Sequence, residues 1–225
     1  MSEQQWSAVD EYLAGVLVTE DEPLRGALRA SEEAGLPPIQ VSPTQGKFLQ
    51  VLARSVGARR ILEIGTLGAY STIWLARALP PGGRLITLEA DPVHARVART
   101  NIRRAGLDGM VELRLGPALE TLPVLAAEKG GPFDLIFIDA DKPNTAPYFQ
   151  WSLKLSRPGT LILADNVIRK GAVIEAGSED ANVQGMRQFL RLLAGESRVC
   201  ASALQTVGGK GYDGFALAVV LQPDI

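Results

Sequence analysis

Two short stretches carry oxygen ligands in a pattern that could hold a metal: Ile138-Asp139-Ala140-Asp141-Lys142 and Ala164-Asp165-Asn166. Each follows a strongly apolar run, Leu135-Ile136-Phe137-Ile138 in the first case and the segment Thr160 to Ala164 in the second. Asp139, Asp165 and Asn166 together offer three hard oxygen donors. That set suits Mg²⁺, which keeps coordination positions for water or a substrate oxygen. The chain has one histidine and one cysteine, so a zinc site lacks ligands. Lys142, three residues past Asp139, can reach the same cleft. Beside a dication its ammonium form is disfavoured, which would leave a neutral base. The plainer alternative is an Asp139–Lys142 ion pair that braces a loop; the Asp165-Asn166 pair weighs against it.

A second constellation lies between Arg59 and Ser71. Ile61, Leu62 and Ile64 form an apolar run interrupted by Glu63; Gly65 and Gly68 follow, then a helix-like segment from Tyr70 to Leu79. Strand, glycine turn and helix in that order place a ligand against the open amides of a helix start. The glycines are spaced Gly-x-x-Gly, not Gly-x-Gly-x-x-Gly as a dinucleotide site requires. Glu63 is a poor neighbour for a pyrophosphate and suits a ligand with positive charge and hydroxyls. S-adenosylmethionine fits that description best; a nucleotide and a purely structural turn remain open. Glu63, Glu89, Asp139 and Asp165 all close apolar runs, so all four are expected on one rim of a sheet. There they need ligands or basic partners. Glu89, at the second strand's end, is placed to accept hydrogen bonds from ribose hydroxyls. Asp91 beside it reads as a helix cap.

The elements that would position these residues alternate. Helices are expected over residues 4–17, Pro23 to Ala34 and, capped by Ser42 with Pro43 in its first turn, on to about Val56. Then come strands at Arg84 to Glu89, Val111 to Leu115, Asp134 to Asp139 and Thr160 to Ala164. Between them lie helices from Pro92 to Arg104, Ala118 to Ala127 and Thr145 to Leu155. That alternation means a parallel, doubly wound sheet. Near the end, a helix from Val183 to Leu193 precedes strands at Val199 to Thr206 and Phe215 to Leu221. The loop Val207 to Gly214 is too short for a crossover helix, so these two strands must pair antiparallel.

Composition sets bounds. The chain has 225 residues, 46% hydrophobic and 21% charged, with net charge −2. That is enough for a single α/β domain over 1–225, with 1–42 as covering helices and 43–225 as core. There is no basic excess to draw nucleic acid, although Arg169, Lys170 and Lys210 could form a local patch. The lone Cys200 fits a reducing compartment and reads as a packed strand residue. No run is long enough to span a bilayer and no signal peptide is visible, so a cytoplasmic location is expected. His94 reads as a helix-surface residue; Trp151 and Tyr212 read equally well as core or pocket.

Taken together, Val41-Ser42-Pro43, Leu62-Glu63-Ile64-Gly65-Thr66, Tyr70-Ser71, Glu89, Gly116-Pro117-Ala118, Asp139-Ala140-Asp141-Lys142 and Ala164-Asp165-Asn166 resemble the cation-dependent O-methyltransferases, the family of caffeoyl-CoA and catechol O-methyltransferases. The resemblance covers about Gln40 to Gly214. It implies a Rossmann-like class I methyltransferase fold: a seven-stranded, mostly parallel sheet with a C-terminal antiparallel hairpin and helices on both faces. It implies S-adenosylmethionine as donor, with Val41, Glu63, Gly65, Thr66 and Ser71 around its methionine end, Glu89 on the ribose, Ala118 against the adenine and Asp139 near the amine. It further implies Mg²⁺, or another divalent cation such as Mn²⁺ or Ca²⁺, on Asp139, Asp165 and Asn166, with Lys142 as general base. The acceptor would be a hydroxylated aromatic small molecule, and the protein a homodimer. Ala69 departs from the pattern, since relatives often carry glycine there. The alternatives are methylation of a tRNA base hydroxyl, or a binding protein that keeps the fold without the chemistry.

Overall fold

Strand β1, Arg60–Ile64, lies inside the sheet, and its residues Ile61, Leu62, Glu63 and Ile64 are all buried. It pairs in parallel with β2, Arg84–Glu89, and with β4, Phe133–Ile138. Strand β3, Val111–Leu115, extends the β2 side, and β5, Ser156–Asp165, extends the β4 side. Strands β6, Val199–Gly208, and β7, Gly211–Val220, form the hairpin, with β7 antiparallel to β5. The order is β3-β2-β1-β4-β5-β7-β6, a seven-stranded mixed sheet of the expected class. The chain is described here by a computed structural model over residues 2–222; Met1 and 223–225, the limits of the expected single domain, lie outside the described residues.

Side-chain alternation sorts the helices onto the two faces. Ile61, Leu85, Leu135 and Phe137 point to one face. They pack under α2, Glu22–Glu33; α3, Pro43–Ser55; α4, Tyr70–Ala76; and α5, Pro92–Arg104. Leu62, Ile64, Ile86 and Ile136 point the other way, under α6, Ala118–Ala127; α7, Thr145–Lys154; and α8, Ala181–Gly195. Each such side chain, fully buried, contributes roughly 1.5–3 kcal/mol. The N-terminal helix α1, Glu3–Leu17, buries no residue and leaves Tyr12, Val16 and Leu17 exposed. No helix among the described residues is long and apolar enough to cross a membrane.

Three expectations change. The hairpin strands run to a two-residue turn, Gly209-Lys210, and absorb most of the expected loop. Its glycines do not all mark a turn: a Cβ on Gly214 would fall 2.1 Å from the Leu204 carbonyl oxygen, so glycine there permits close strand approach. Strand β5 starts four residues early, at Ser156, and its register against β4 shifts between Ser156 and Leu161. Cys200 is exposed and does not pack, because β6 is an edge strand exposed on both faces over most of its length.

Candidate functional site

The carboxyl ends of β1, β2, β4 and β5 open into two adjoining cavities. The larger, about 510 Å³, is lined by Gly65, Thr66, Ser71, Glu89, Ala118 and Asp139. Val41, Lys142 and Asn166 also line it. The smaller, about 330 Å³, is lined by Phe48, Asp165, Tyr212 and Phe215. Asn166 belongs to both. All the expected site residues but one therefore converge on this rim.

The exception is Glu63. It is the penultimate residue of β1, wholly buried, and it faces the helices instead of the cavity. Its carboxyl group accepts hydrogen bonds from Ser71 (2.6 Å) and Thr72 (2.5 Å), and its Oε2 lies 2.7 Å from Thr87 Oγ1. Glu63 does not line the cavity itself; it holds Ser71, which does. A proton count adds to this. Thr87 Oγ1 lies 2.6 Å from Thr66 Oγ1, which donates to the Leu88 carbonyl at 3.1 Å. Three contacts, Glu63–Thr87, Thr87–Thr66 and Thr66–Leu88, share two hydroxyl protons, since each threonine has one. A carboxylic acid donating to Thr87 supplies the third. Burial pushes the Glu63 pKa up to about 7, against the hydroxyl bonds, with the Asp139 charge adding to the rise.

Glu89 closes β2 and is held in place by the turn that follows β1. One oxygen accepts from the backbone N–H of Leu67 (2.7 Å) and Thr66 (3.3 Å); the other accepts from that of Asp91 (2.9 Å). Asp91 caps α5 through Val93 and His94, as expected. His94 is not a surface residue. Its Nδ1 sits 3.6 Å from Glu89 and its ring lines the larger cavity. The available signal was position: a residue in the first turn of a helix that starts at the rim.

Asp139 is the first residue past β4 and accepts from Lys142 Nζ at 2.9 Å. This is the loop-bracing ion pair, and it is set in the cavity wall, with Lys142 only 8% exposed. Asp165 closes β5; Oδ1 accepts from the Asn166 N–H (2.8 Å) and Oδ2 from the Gln45 amide (2.7 Å). Asn166 takes the left-handed conformation, φ 58°, which turns the chain at the strand's end. Burial, then the neighbouring Asp139 charge, raises the Asp165 pKa to about 7, only partly offset by Lys142. Two carboxylates thus crowd one corner, with the Lys142 ammonium bound to Asp139. Among the described residues no three His, Cys, Asp or Glu side chains are placed to share a metal ion. A cation here therefore needs the Asn166 amide oxygen as its third donor, and the set of two carboxylates and one amide oxygen fits a hard dication.

The sequence motifs do not point to Gln45. It comes from α3, 120 positions away from Asp165, and no local pattern points to it. Arg169 lines the larger cavity and Lys170 and Lys210 the smaller. They do not form an open basic patch: Arg169 lies 3.9 Å from Asp213, and Lys210 donates to the Pro38 carbonyl. Tyr212 is a pocket residue, whereas Trp151 packs against the core.

Known proteins agree with this outline. A family model described as O-methyltransferase matches residues 17–219. A catechol O-methyltransferase of Niastella koreensis is 56% identical over 98% of this chain and 100% of its own length. One from Mycobacterium tuberculosis is 54% identical over 94% of each. The crystal structure of a Bacillus cereus O-methyltransferase in complex with SAH superposes with a TM-score of 0.96 at 58% identity, covering 97% of this chain and 100% of that one. An O-methyltransferase of Streptomyces achromogenes involved in tomaymycin synthesis, in complex with SAM, gives 0.96 at 51% identity over 99% and 100%. The chain belongs to the O-methyltransferase family.

Proposed function

We propose that this O-methyltransferase transfers a methyl group from S-adenosylmethionine to one hydroxyl of a catechol-type or phenylpropanoid small molecule, with Mg²⁺ or a similar divalent cation (Mn²⁺, Ca²⁺) at Asp139, Asp165 and Asn166. The observation that carries this reading is the junction of the two cavities at Asn166, with Asp139 and Lys142 on one side and Asp165 on the other. The larger cavity takes the donor. Val41, Gly65, Thr66 and Ser71 surround its methionine end, Glu89 accepts from the ribose, and Ala118 lies against the adenine. The complexes of similar enzymes with SAM and SAH support that assignment. The smaller cavity, walled by Phe48, Tyr212 and Phe215, takes the acceptor ring, and the names of the relatives support a catechol.

When bound, the donor supplies an electrophilic methyl group and the cation supplies charge that acidifies a coordinated hydroxyl. The chain supplies the rest. Lys142, as the neutral amine that a neighbouring dication favours, accepts the acceptor's proton at Nζ and becomes the ammonium. The cavity walls align oxygen, carbon and sulfur, and such positioning is worth up to roughly 7–11 kcal/mol. Retention of Lys142 and all three oxygen donors speaks against a binding protein without chemistry. The ties of Arg169 and Lys210 to other groups leave little for tRNA to grip.

The reading extends to one domain in which residues 2–42 cover a core from 43 onward, to a homodimer, and to a reducing, cytoplasmic setting. The exposed apolar side of α1 beside edge strand β6 supports the dimer, and the single free Cys200 supports the setting. The test is transfer of labelled methyl to catechols and to undermodified tRNA, with and without EDTA. Label on a catechol, abolished by EDTA and restored by Mg²⁺, is expected. Label on tRNA alone, or EDTA-insensitive transfer, overturns the proposal.

A further inference from the structure

We infer that Gln45 is a positioning residue for the candidate metal centre, holding Asp165 in its ligating orientation. The inference rests on the metal-dependent reading above. Its first support is a cap half made. Ser42-Pro43-Thr44-Gln45 has the Ser-x-x-Gln form of a capping box, in which the serine accepts from the N–H three residues on and the glutamine reaches back to the serine's own N–H. Here Ser42 Oγ does accept from Gln45 N–H, at 3.2 Å. The return bond is not made. Gln45 Nε2 instead donates to Asp165 Oδ2, at 2.7 Å, across 120 residues of sequence. A local bond has been exchanged for one to a buried carboxylate at the rim.

The chemistry of the donor is the second support. Asp139 is held by the ammonium of Lys142, a charge that competes directly with a bound dication. Asp165 is held by a neutral amide, which fixes one oxygen without competing for the site. With Asn166 N–H on Oδ1 and Gln45 on Oδ2, each carboxylate oxygen keeps a further lone pair for a cation. Partners of this kind orient metal ligands, and losing one typically costs 10–100-fold in metal affinity. The helix that carries Gln45 is itself pinned. Ser42 and Thr44 share a hydroxyl contact, and Thr44 donates to Asp10, which also accepts from Gly209 at the hairpin turn.

The test is Mn²⁺ affinity of the SAH-loaded protein, wild type against Gln45→Met, which keeps length and helix preference but removes the donor. The expected result is Mn²⁺ binding weakened by about tenfold, with SAH affinity unchanged. Unchanged Mn²⁺ affinity overturns the inference. So does a raised acceptor KM with unchanged Mn²⁺ affinity, which would make Gln45 an acceptor contact. If the wild-type protein itself binds no Mn²⁺, the metal-dependent reading falls and this inference with it, and only that outcome removes the wild-type signal.

Discussion

A Cβ on Gly65 would lie 2.1 Å from the carbonyl oxygen of Asp139. The ends of β1 and β4 meet at this point, and Gly65 also takes φ +99°, a conformation that side chains resist. The approach keeps the donor wall and the candidate metal corner in contact. Gly65→Ala is therefore expected to lose more than about 2 kcal/mol of stability and most SAH affinity. Urea denaturation and calorimetry would measure both. A variant with wild-type stability and affinity would show that the strand ends can separate freely.

Glu63 makes a prediction about pH. Its folded pKa, about 7, lies above its ordinary value of 4.5, so between those values the folded state holds a proton that the unfolded state has released. The group's contribution to stability is complete below pH 4.5 and is lost as pH rises through about 7. The difference in unfolding free energy between the wild-type protein and Glu63→Gln is expected to fall by about 3 kcal/mol across that window. A difference that stays flat with pH would contradict the neutral acid inferred from the hydroxyl proton count.

Much of the fold was legible because alternation and capping are local signals. The expected limits of β2, α5, β3 and α6 coincide with the observed ones. The rim was legible too, since Glu89 and Asp165 end strands and Asp139 follows one directly. The surroundings of Glu63 were not legible, because its hydroxyl partners, Thr72 and Thr87 among them, are brought in from other elements. Gln45 and His94 were hidden for the same reason: what they touch is decided by packing, not by their neighbours in the chain.

Ala69 sits at φ +67°, in the left-handed region that favours glycine, with its methyl fully buried. An alanine there costs about 1–2 kcal/mol of backbone strain, while glycine would add roughly 0.4–1 kcal/mol of unfolded-state entropy. Ala69→Gly is expected to gain about 0.5–1 kcal/mol with SAH binding intact. A loss of stability in urea would mean that the buried methyl outweighs the strain.

The central claim is that Lys142 and the Asp165 corner act together in methyl transfer, and single-turnover methylation of a catechol by SAH-competent variants tests it most directly. Lys142→Ala and Asp165→Ala are each expected to fall by at least about 100-fold while binding SAH like the wild-type protein. Near-normal turnover in both would contradict the account.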